Sequence, residues 1–235
     1  MALQEGHFCF QKFENKYNKV MPVGDLNSLI NHLIESGVLK TPAIIDAFKN
    51  IDRSKFVPED MKCFAYVDEA LSIGEGQTIS QPYTVAFMLE LLEPKPGDKI
   101  LDIGSGSGWQ TSLLAHIVGE NGKIFAIEII PELCKFGKAN VKNFNFIEKG
   151  IVEWICGDAS KGLAEKAPFD KIIAAAALGD KIPQEWKDQL KIGGRMVVPI
   201  KESIWLFIKR DKNDFEEKEF PGFVFVPFVN ASQTQ

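Results

Sequence analysis

The segment Lys99-Ile100-Leu101-Asp102-Ile103-Gly104-Ser105-Gly106-Ser107-Gly108 constrains the fold more than any other stretch of this chain. Apolar residues suited to a buried strand run directly into glycines at alternate positions. Such a bend takes backbone angles that side chains resist, lets the main chain press against a small ligand, and opens on a helix start with unpaired N–H groups. A dinucleotide fingerprint would need glycine at 109, where Trp109 stands, and the Gly-Lys-Ser/Thr ending of a phosphate loop is missing. Neither NAD nor ATP is the expected ligand. A second strand, Lys123-Ile124-Phe125-Ala126-Ile127-Glu128, ends in a carboxylate about 20 residues past the loop. Glu128 is placed to accept both ribose hydroxyls of an adenosine-containing ligand. Asp102, two positions before the first glycine, either orients the loop or meets the ligand.

Periodicity around this anchor sets the architecture. Leu26, Leu29, Ile30, Leu33 and Ile34 recur at helical spacing between Asp25 and Gly37, and a second helix follows Pro42 to Ile51. These precede any strand pattern, so residues 1 to about 60 read as a helical cap. Val85, Met88, Leu89 and Leu92 share a helical face after Pro82, with Ser80 at a possible N-cap. Strands at 99–103, 123–128, 151–156 and 170–175 then alternate with helical segments. That alternation implies parallel βαβ crossovers and an α/β, doubly wound, mostly parallel sheet. The ligand belongs beyond the C-terminal strand ends, where the loops at 104, 128 and 158 converge. After a helix at 183–190, strands at 195–200, 204–208 and 223–226 lack intervening helices and give an antiparallel finish. The charged stretch Asp211 to Glu219 reads as a solvated loop, and Phe223 and Phe225 as core strand residues. The expected division is a cap and loop segment, 1–80, on a ligand-binding core, 81–235, in one unit.

Composition narrows the partners. A net charge of −5, with arginine only at Arg53, Arg195 and Arg210, leaves no footprint for a phosphate backbone, so nucleic acid is not expected. No apolar run approaches the roughly 20 residues that cross a bilayer, and the start of the chain lacks a signal-peptide layout, so a cytoplasmic protein is expected. Cys9, Cys63, Cys134 and Cys156 are widely separated, without metal-ligand spacing, and read as reduced thiols. No metal site is expected.

Two blocks carry a resemblance. Gly76-Gln77-Thr78-Ile79-Ser80-Gln81-Pro82, followed by a helix and then the glycine loop, resembles the protein-L-isoaspartate (D-aspartate) O-methyltransferases, class I enzymes dependent on S-adenosylmethionine. The loop alone would indicate only a class I methyltransferase. Further matches are Arg53-Ser54-Lys55-Phe56-Val57-Pro58, Ala65-Tyr66-Val67-Asp68, Gly157-Asp158, Ala167-Pro168-Phe169-Asp170, Gln189 to Arg195 and Val226-Pro227, spanning about 25 to 228. The resemblance implies a Rossmann-like fold and methylation of isoaspartyl and D-aspartyl carboxylates in damaged proteins, initiating their repair through ester collapse to a succinimide. It implies Ser80 as the active-site residue, with Gln77, Thr78 and Ile79 in the same closing loop. Glu128 would hold the ribose, Ile129 would pack on the adenine, Asp158 with Ala159 would meet its amino edge, and Gly104, Ser105, Gly106 and Gly108 would run beneath the cofactor. A monomer is expected.

The chain departs from the family at three places. Ala159 stands where glycine is usual, Val229 where threonine is frequent, and the segment from Ala174 to Pro183 is slightly long. Rival readings are a methyltransferase of the same architecture acting on a dedicated peptide or small molecule, and a non-catalytic S-adenosylmethionine-binding module. A DNA methyltransferase is disfavoured, since Ala175-Ala176-Ala177-Leu178 occupies the place of an Asn/Asp-Pro-Pro-aromatic motif.

Overall fold

The computed structural model describes residues 24–231, so the part of the expected cap before residue 24, with His7 and Cys9, lies outside the described residues. Helix α1, Leu26–Glu35, is capped by the Asp25 carboxylate, which accepts from the Ser28 amide at 2.7 Å, and buries Leu29, Ile30 and Leu33. Helix α2, Pro42–Asn50, opens on proline and buries Ile44, Ala47 and Phe48. Two 3-10 turns, Arg53–Phe56 and Glu59–Phe64, lead to a hairpin of strands β1, Leu71–Gly74, and β2, Gln77–Ile79. The Gln77–Ile79 segment, expected as loop, is thus the second strand of a hairpin that turns through Glu75 and Gly76, both at positive φ.

Helix α3, Pro82–Leu92, corrects one capping assignment. Ser80 lies outside it; Gln81 is the N-cap residue and makes no side-chain cap bond, while Asp68 Oδ1 accepts from the Tyr83 amide at 2.8 Å. The hydroxyl of Ser80 is not needed to start the helix.

The core alternates as the periodicity requires: β3 (Lys99–Ile103), α4 (Trp109–Val118), β4 (Lys123–Glu128), α5 (Pro131–Lys142), β5 (Val152–Cys156), β6 (Phe169–Ala174), α6 (Gln184–Gln189), then β7 (Leu190–Ile200), β8 (Ser203–Asp211) and β9 (Asp214–Pro221). The short helical element expected near 160 is a 3-10 turn at Ala164–Lys166. Strand order is β5-β4-β3-β6-β7-β8-β9, parallel as far as β7 and antiparallel beyond it. The order reverses direction on either side of β3, and a crevice opens at such a switch point. Among the described residues no helix is long and apolar enough to cross a membrane.

Three further expectations are overturned. The charged stretch read as a solvated loop is largely β9, an edge strand. Its pairing with β8 is made by main chain, and charge on an edge strand discourages further pairing, so the hydrophobic pattern there is silent. Residues 223–226 are no strand: Phe223 stacks on Phe87 at 5.0 Å while Val224 is 86% exposed. Finally, Cys134 and Cys156 form a disulfide, Cα atoms 5.8 Å apart, and no described cysteine is free. Parallel topology sets the first turn of α5 beside the end of β5, a proximity that a spacing of 22 residues does not reveal.

Two packing relations shape the glycine loop. Gly104 and Gly106 sit at φ +73° and +50°, where a side chain is strained. A Cβ on Gly137, inside α5, would fall 2.2 Å from the Gly106 carbonyl oxygen and 2.6 Å from Trp154. The loop therefore presses on a bare helix surface. Gly108 does a similar job from the other side, since its Cβ would meet Val141 at 2.6 Å. Asp102, at 0% exposure, accepts from Gln110 Nε2 at 2.9 Å and from the Thr111 hydroxyl at 2.5 Å, tying the strand to the first turn of α4. Of its two possible roles, orientation of the loop is the one its bonds serve. Burial, opposed by the bonds from Thr111 and Gln110 and assisted by the nearby Glu128 charge, pushes Asp102 up to about 6.

Two outcomes follow. Gly137→Ala should lower unfolding free energy by about 1 to 3 kcal/mol through overpacking, although alanine in an open helix would add about 1 kcal/mol; urea denaturation showing a gain would mean that the loop yields freely. For Asp102, the folded chain takes up its proton before the unfolded chain does, so its contribution to stability rises as pH falls from about 6 towards 3.8. The stability of Asp102→Asn relative to the parent should accordingly increase by about 2 kcal/mol between pH 4 and pH 7, and a difference that stays constant with pH would refute it.

Candidate active site

The ends of β3 and β4 lie side by side because the strands pair in parallel, Ile103 opposite Ile127. This register delivers the Glu128 side chain to the glycine loop, where Oε2 accepts from the Gly106 amide at 2.8 Å and Oε1 from the Ile130 amide at 2.9 Å. Glu128 is 5% exposed. Each carboxylate oxygen retains a lone pair, so the group can still accept two hydroxyls from a ligand.

A cleft opens over this arrangement. Gln77, Thr78, Ile79, Ser80, Gly104, Ser105, Gly106, Glu128, Ile129 and Ala159 all line it, drawn from the hairpin, the glycine loop, the end of β4 and the loop after β5. Among the described residues that line it, Glu128 alone is charged. One end is closed by Val226 to Val229, held by reciprocal bonds: the Ala177 amide donates to Val226 O and the Phe228 amide to Ala177 O, both at 2.8 Å. A second hollow, lined by Asp68, Glu69, Ala70, Gln81, Thr84 and residues 222–226, adjoins the first. Thr78, Ser80, Ala175 and Val226 line both. Ser80 therefore belongs to the wall that the two hollows share.

Two expected residues do not line the cleft. Gly108 is set back, where its missing side chain serves the contact with α5. Asp158 is exposed on the rim, its carboxylate accepting from the amides of Ser160 at 2.7 Å and Ala231 at 2.9 Å. Burial opposes its ionisation, but the bonds from Ala231 and Ser160 prevail and hold it below the ordinary carboxylate range. Ala159, the departure from glycine, is 5% exposed and belongs to the apolar cluster of Leu163, Phe169 and Trp186; its carbonyl accepts from Trp186 Nε1 at 2.9 Å. The extra methyl is absorbed by the core.

Sequence reasoning missed Trp109, Gln110, Leu133, Ala175 and Ala176 as lining residues. Trp109 and Gln110 form the first turn of α4, directly after the glycine loop, and were open to inference from that position. Ala175 and Ala176 follow β6, whose C-terminal end faces the same crevice by the switch-point rule. The Val226 to Val229 segment carried only a motif match, and its place over the cleft depends on pairing with Ala177, far away in sequence.

Residues 25–233 match the family model described as protein-L-isoaspartate(D-aspartate) O-methyltransferase. The chain is 37% identical over 211 residues to a protein-L-isoaspartate O-methyltransferase of Methanopyrus kandleri, covering 88% of this chain and 92% of that one. It is 42% identical over 206 residues to the protein of the same name from Flavobacterium johnsoniae, covering 86% and 93%. Among solved structures, one titled protein-L-isoaspartate O-methyltransferase superimposes with a TM-score of 0.77 at 28% identity, covering 88% of this chain and 66% of that chain. A Plasmodium falciparum protein, titled a putative protein-L-isoaspartate O-methyltransferase in complex with S-adenosyl-L-homocysteine, shares the fold at the same TM-score and 23% identity, covering 87% and 98%. With the family model matched over nearly the whole chain and relatives above one third identity, this chain belongs to the protein-L-isoaspartate(D-aspartate) O-methyltransferase family.

Proposed function

We propose that this protein transfers a methyl group from S-adenosylmethionine to the side-chain carboxylate of isoaspartyl and D-aspartyl residues in damaged proteins. The observation that carries the reading is the wall that two adjoining hollows share at Ser80: the one beside the glycine loop and Glu128 suits an adenosyl group, and the other would take the peptide. Family membership supplies the substrate class.

The residues present fit the cofactor. The cleft is mostly apolar, holds one negative charge suited to a cationic ligand, and offers Glu128 lone pairs for ribose hydroxyls. Ile129 would pack on the adenine, and Gly157 with Ala159 would close that end. From the rim, Asp158 would offer the adenine amino group the lone pairs that Ser160 and Ala231 leave free. Gly104, Ser105 and Gly106 would pass beneath the amino-acid portion. When bound, S-adenosylmethionine supplies an electrophilic methyl group on a sulfonium.

The nucleophile needs no base. A side-chain carboxylate has an ordinary pKa near 4 and is ionised at neutral pH, so the protein's contribution is placement and exclusion of water. Orientation of this kind can lower a barrier by roughly 7 to 11 kcal/mol. Ser80 would donate its hydroxyl proton in a hydrogen bond to the carboxylate and fix its angle of approach. Gln77, Thr78 and Ile79, paired into the hairpin, would roof the two chambers.

Radiolabelled methyl transfer to paired peptides tests the reading: an isoaspartyl peptide should be labelled, its ordinary aspartyl twin should not, and the product should release methanol in mild base. Equal labelling of both twins, or of neither, would reject it. Ser80→Ala should reduce kcat at least tenfold and leave the affinity for S-adenosylhomocysteine within threefold; unaltered turnover removes Ser80 from the mechanism. Glu128→Ala should weaken that affinity by about 10 to 100-fold, corresponding to a lost charge-assisted acceptor of roughly 1.5 to 3 kcal/mol. Calorimetric titration giving the parent affinity would show that the ribose lies elsewhere.

A further inference from the structure

Arg53 is buried to 0% exposure, yet among the described residues no carboxylate pairs with it directly. Its Nη1 donates to Ala65 O at 2.8 Å and Val67 O at 3.4 Å, and its Nη2 to Glu69 O at 2.9 Å and Ser80 O at 3.1 Å. The guanidinium carbon lies 5.3 Å from the ring centre of Trp109, and the buried Nε has no hydrogen-bond partner among the described residues. Enclosing a cation that only carbonyls solvate is costly, and leaving one donor unpaired adds to that cost. Burial draws Arg53 down to about 9, opposed by the nearby Asp68 charge, so it remains protonated at neutral pH.

The contacts have a direction. Glu69 lines the peptide-side chamber, Ser80 lines both chambers, and Trp109 lines the cofactor side. One planar fork thus grips three parts of the site at once. The charged residues lining the peptide-side chamber, Asp68 and Glu69, are both acidic, whereas the substrate group of the proposed reaction is itself an anion. A cation bonded to the Ser80 carbonyl offsets that repulsion from beneath the wall.

We infer that Arg53 is a positioning residue for methyl transfer: its guanidinium fixes the main chain of Ser80 between the two chambers and supplies the positive charge against which the substrate carboxylate settles. The inference rests on the isoaspartyl reading for its second part. Lysine retains the charge but has no planar fork with which to span these carbonyls, and methionine removes both.

The test compares Arg53→Lys, Arg53→Met and Leu33→Ala, the last removing a fully buried side chain of α1 and serving as a control for lost stability. Each is assayed below its melting temperature for S-adenosylhomocysteine affinity, for kcat and KM with an isoaspartyl peptide, and for hydrogen exchange at Thr78 to Gln81. Arg53→Lys should lower kcat at least tenfold with KM within threefold, Arg53→Met should in addition raise peptide KM at least fivefold, and both should keep cofactor-product affinity within threefold. Exchange at Thr78 to Gln81 should accelerate in both Arg53 variants and not in Leu33→Ala. Should methionine prevent folding, the lysine variant decides. The inference is overturned if Arg53→Lys keeps kcat within twofold, or if Leu33→Ala loses as much turnover per folded molecule. A parent protein that methylates no isoaspartyl peptide defeats the functional reading instead; unchanged exchange at Thr78 to Gln81 in Arg53→Lys would then still overturn the positioning role.

Discussion

The structure turns on the buried Glu128 carboxylate, which gathers the amides of Gly106 and Ile130 at the end of β4. Removing a carboxylate from water costs several kcal/mol, and two charge-assisted bonds of roughly 1.5 to 3 kcal/mol each return a comparable amount. Net stability is therefore a poor reason for the group to be there. Its effect is geometric: by holding Gly106 it bends the loop towards α5, where only the bare surface of Gly137 admits the Gly106 carbonyl. Asp102, a strand away, binds the other flank of the same loop through Gln110 and Thr111. The two acids repel, and the Glu128 charge is among the causes that raise Asp102. The loop is strung between two anchors, each held by bonds to backbone or helix.

Much of this was legible because it is local. Strand, glycine bend, helix and second strand follow one another within about thirty residues, and the parallel crossover rule places Glu128 against the bend without further information. The same holds for α1 and α2, whose apolar residues recur at helical spacing and whose starts carry Asp25 and Pro42. Ser80 was legible only as a motif. Its removal from the helix cap is a tertiary effect, since Asp68, twelve positions earlier, takes the Tyr83 amide.

What stayed hidden is what depends on distant pairing. The edge strand Asp214–Pro221 is stabilised through main-chain bonds to β8, so its glutamates and lysines obscure it from any pattern based on apolar residues. Cys134 and Cys156 meet only because β5 returns beside the first turn of α5. The closing segment from Val226 to Val229 has no regular structure, and two bonds to Ala177 determine where it lies. In each case the deciding contact joins elements whose separation in sequence carries no periodic signal.

The two chambers separate along the same line. The cleft assigned to the adenosyl group takes most of its lining from βα units of a widespread architecture, and such a site identifies a ligand class without identifying a reaction. The hollow assigned to the peptide is lined instead by residues from places far apart in sequence: Asp68 to Ala70, Thr78 to Thr84, Ala175 and residues 222–226. Arg53 physically connects the two chambers, because its fork bonds to Glu69 and Ser80 on the peptide side and its face lies over Trp109 on the cofactor side. Selectivity for a carboxylate nucleophile has to arise on the peptide side, where the lining acids disfavour an anion unless a compensating cation is fixed nearby. A mobile surface lysine would be screened by water and salt, whereas an enclosed guanidinium acts through a low-dielectric wall and cannot swing away. Burial of that cation, costly for folding, is what makes its field dependable at the serine.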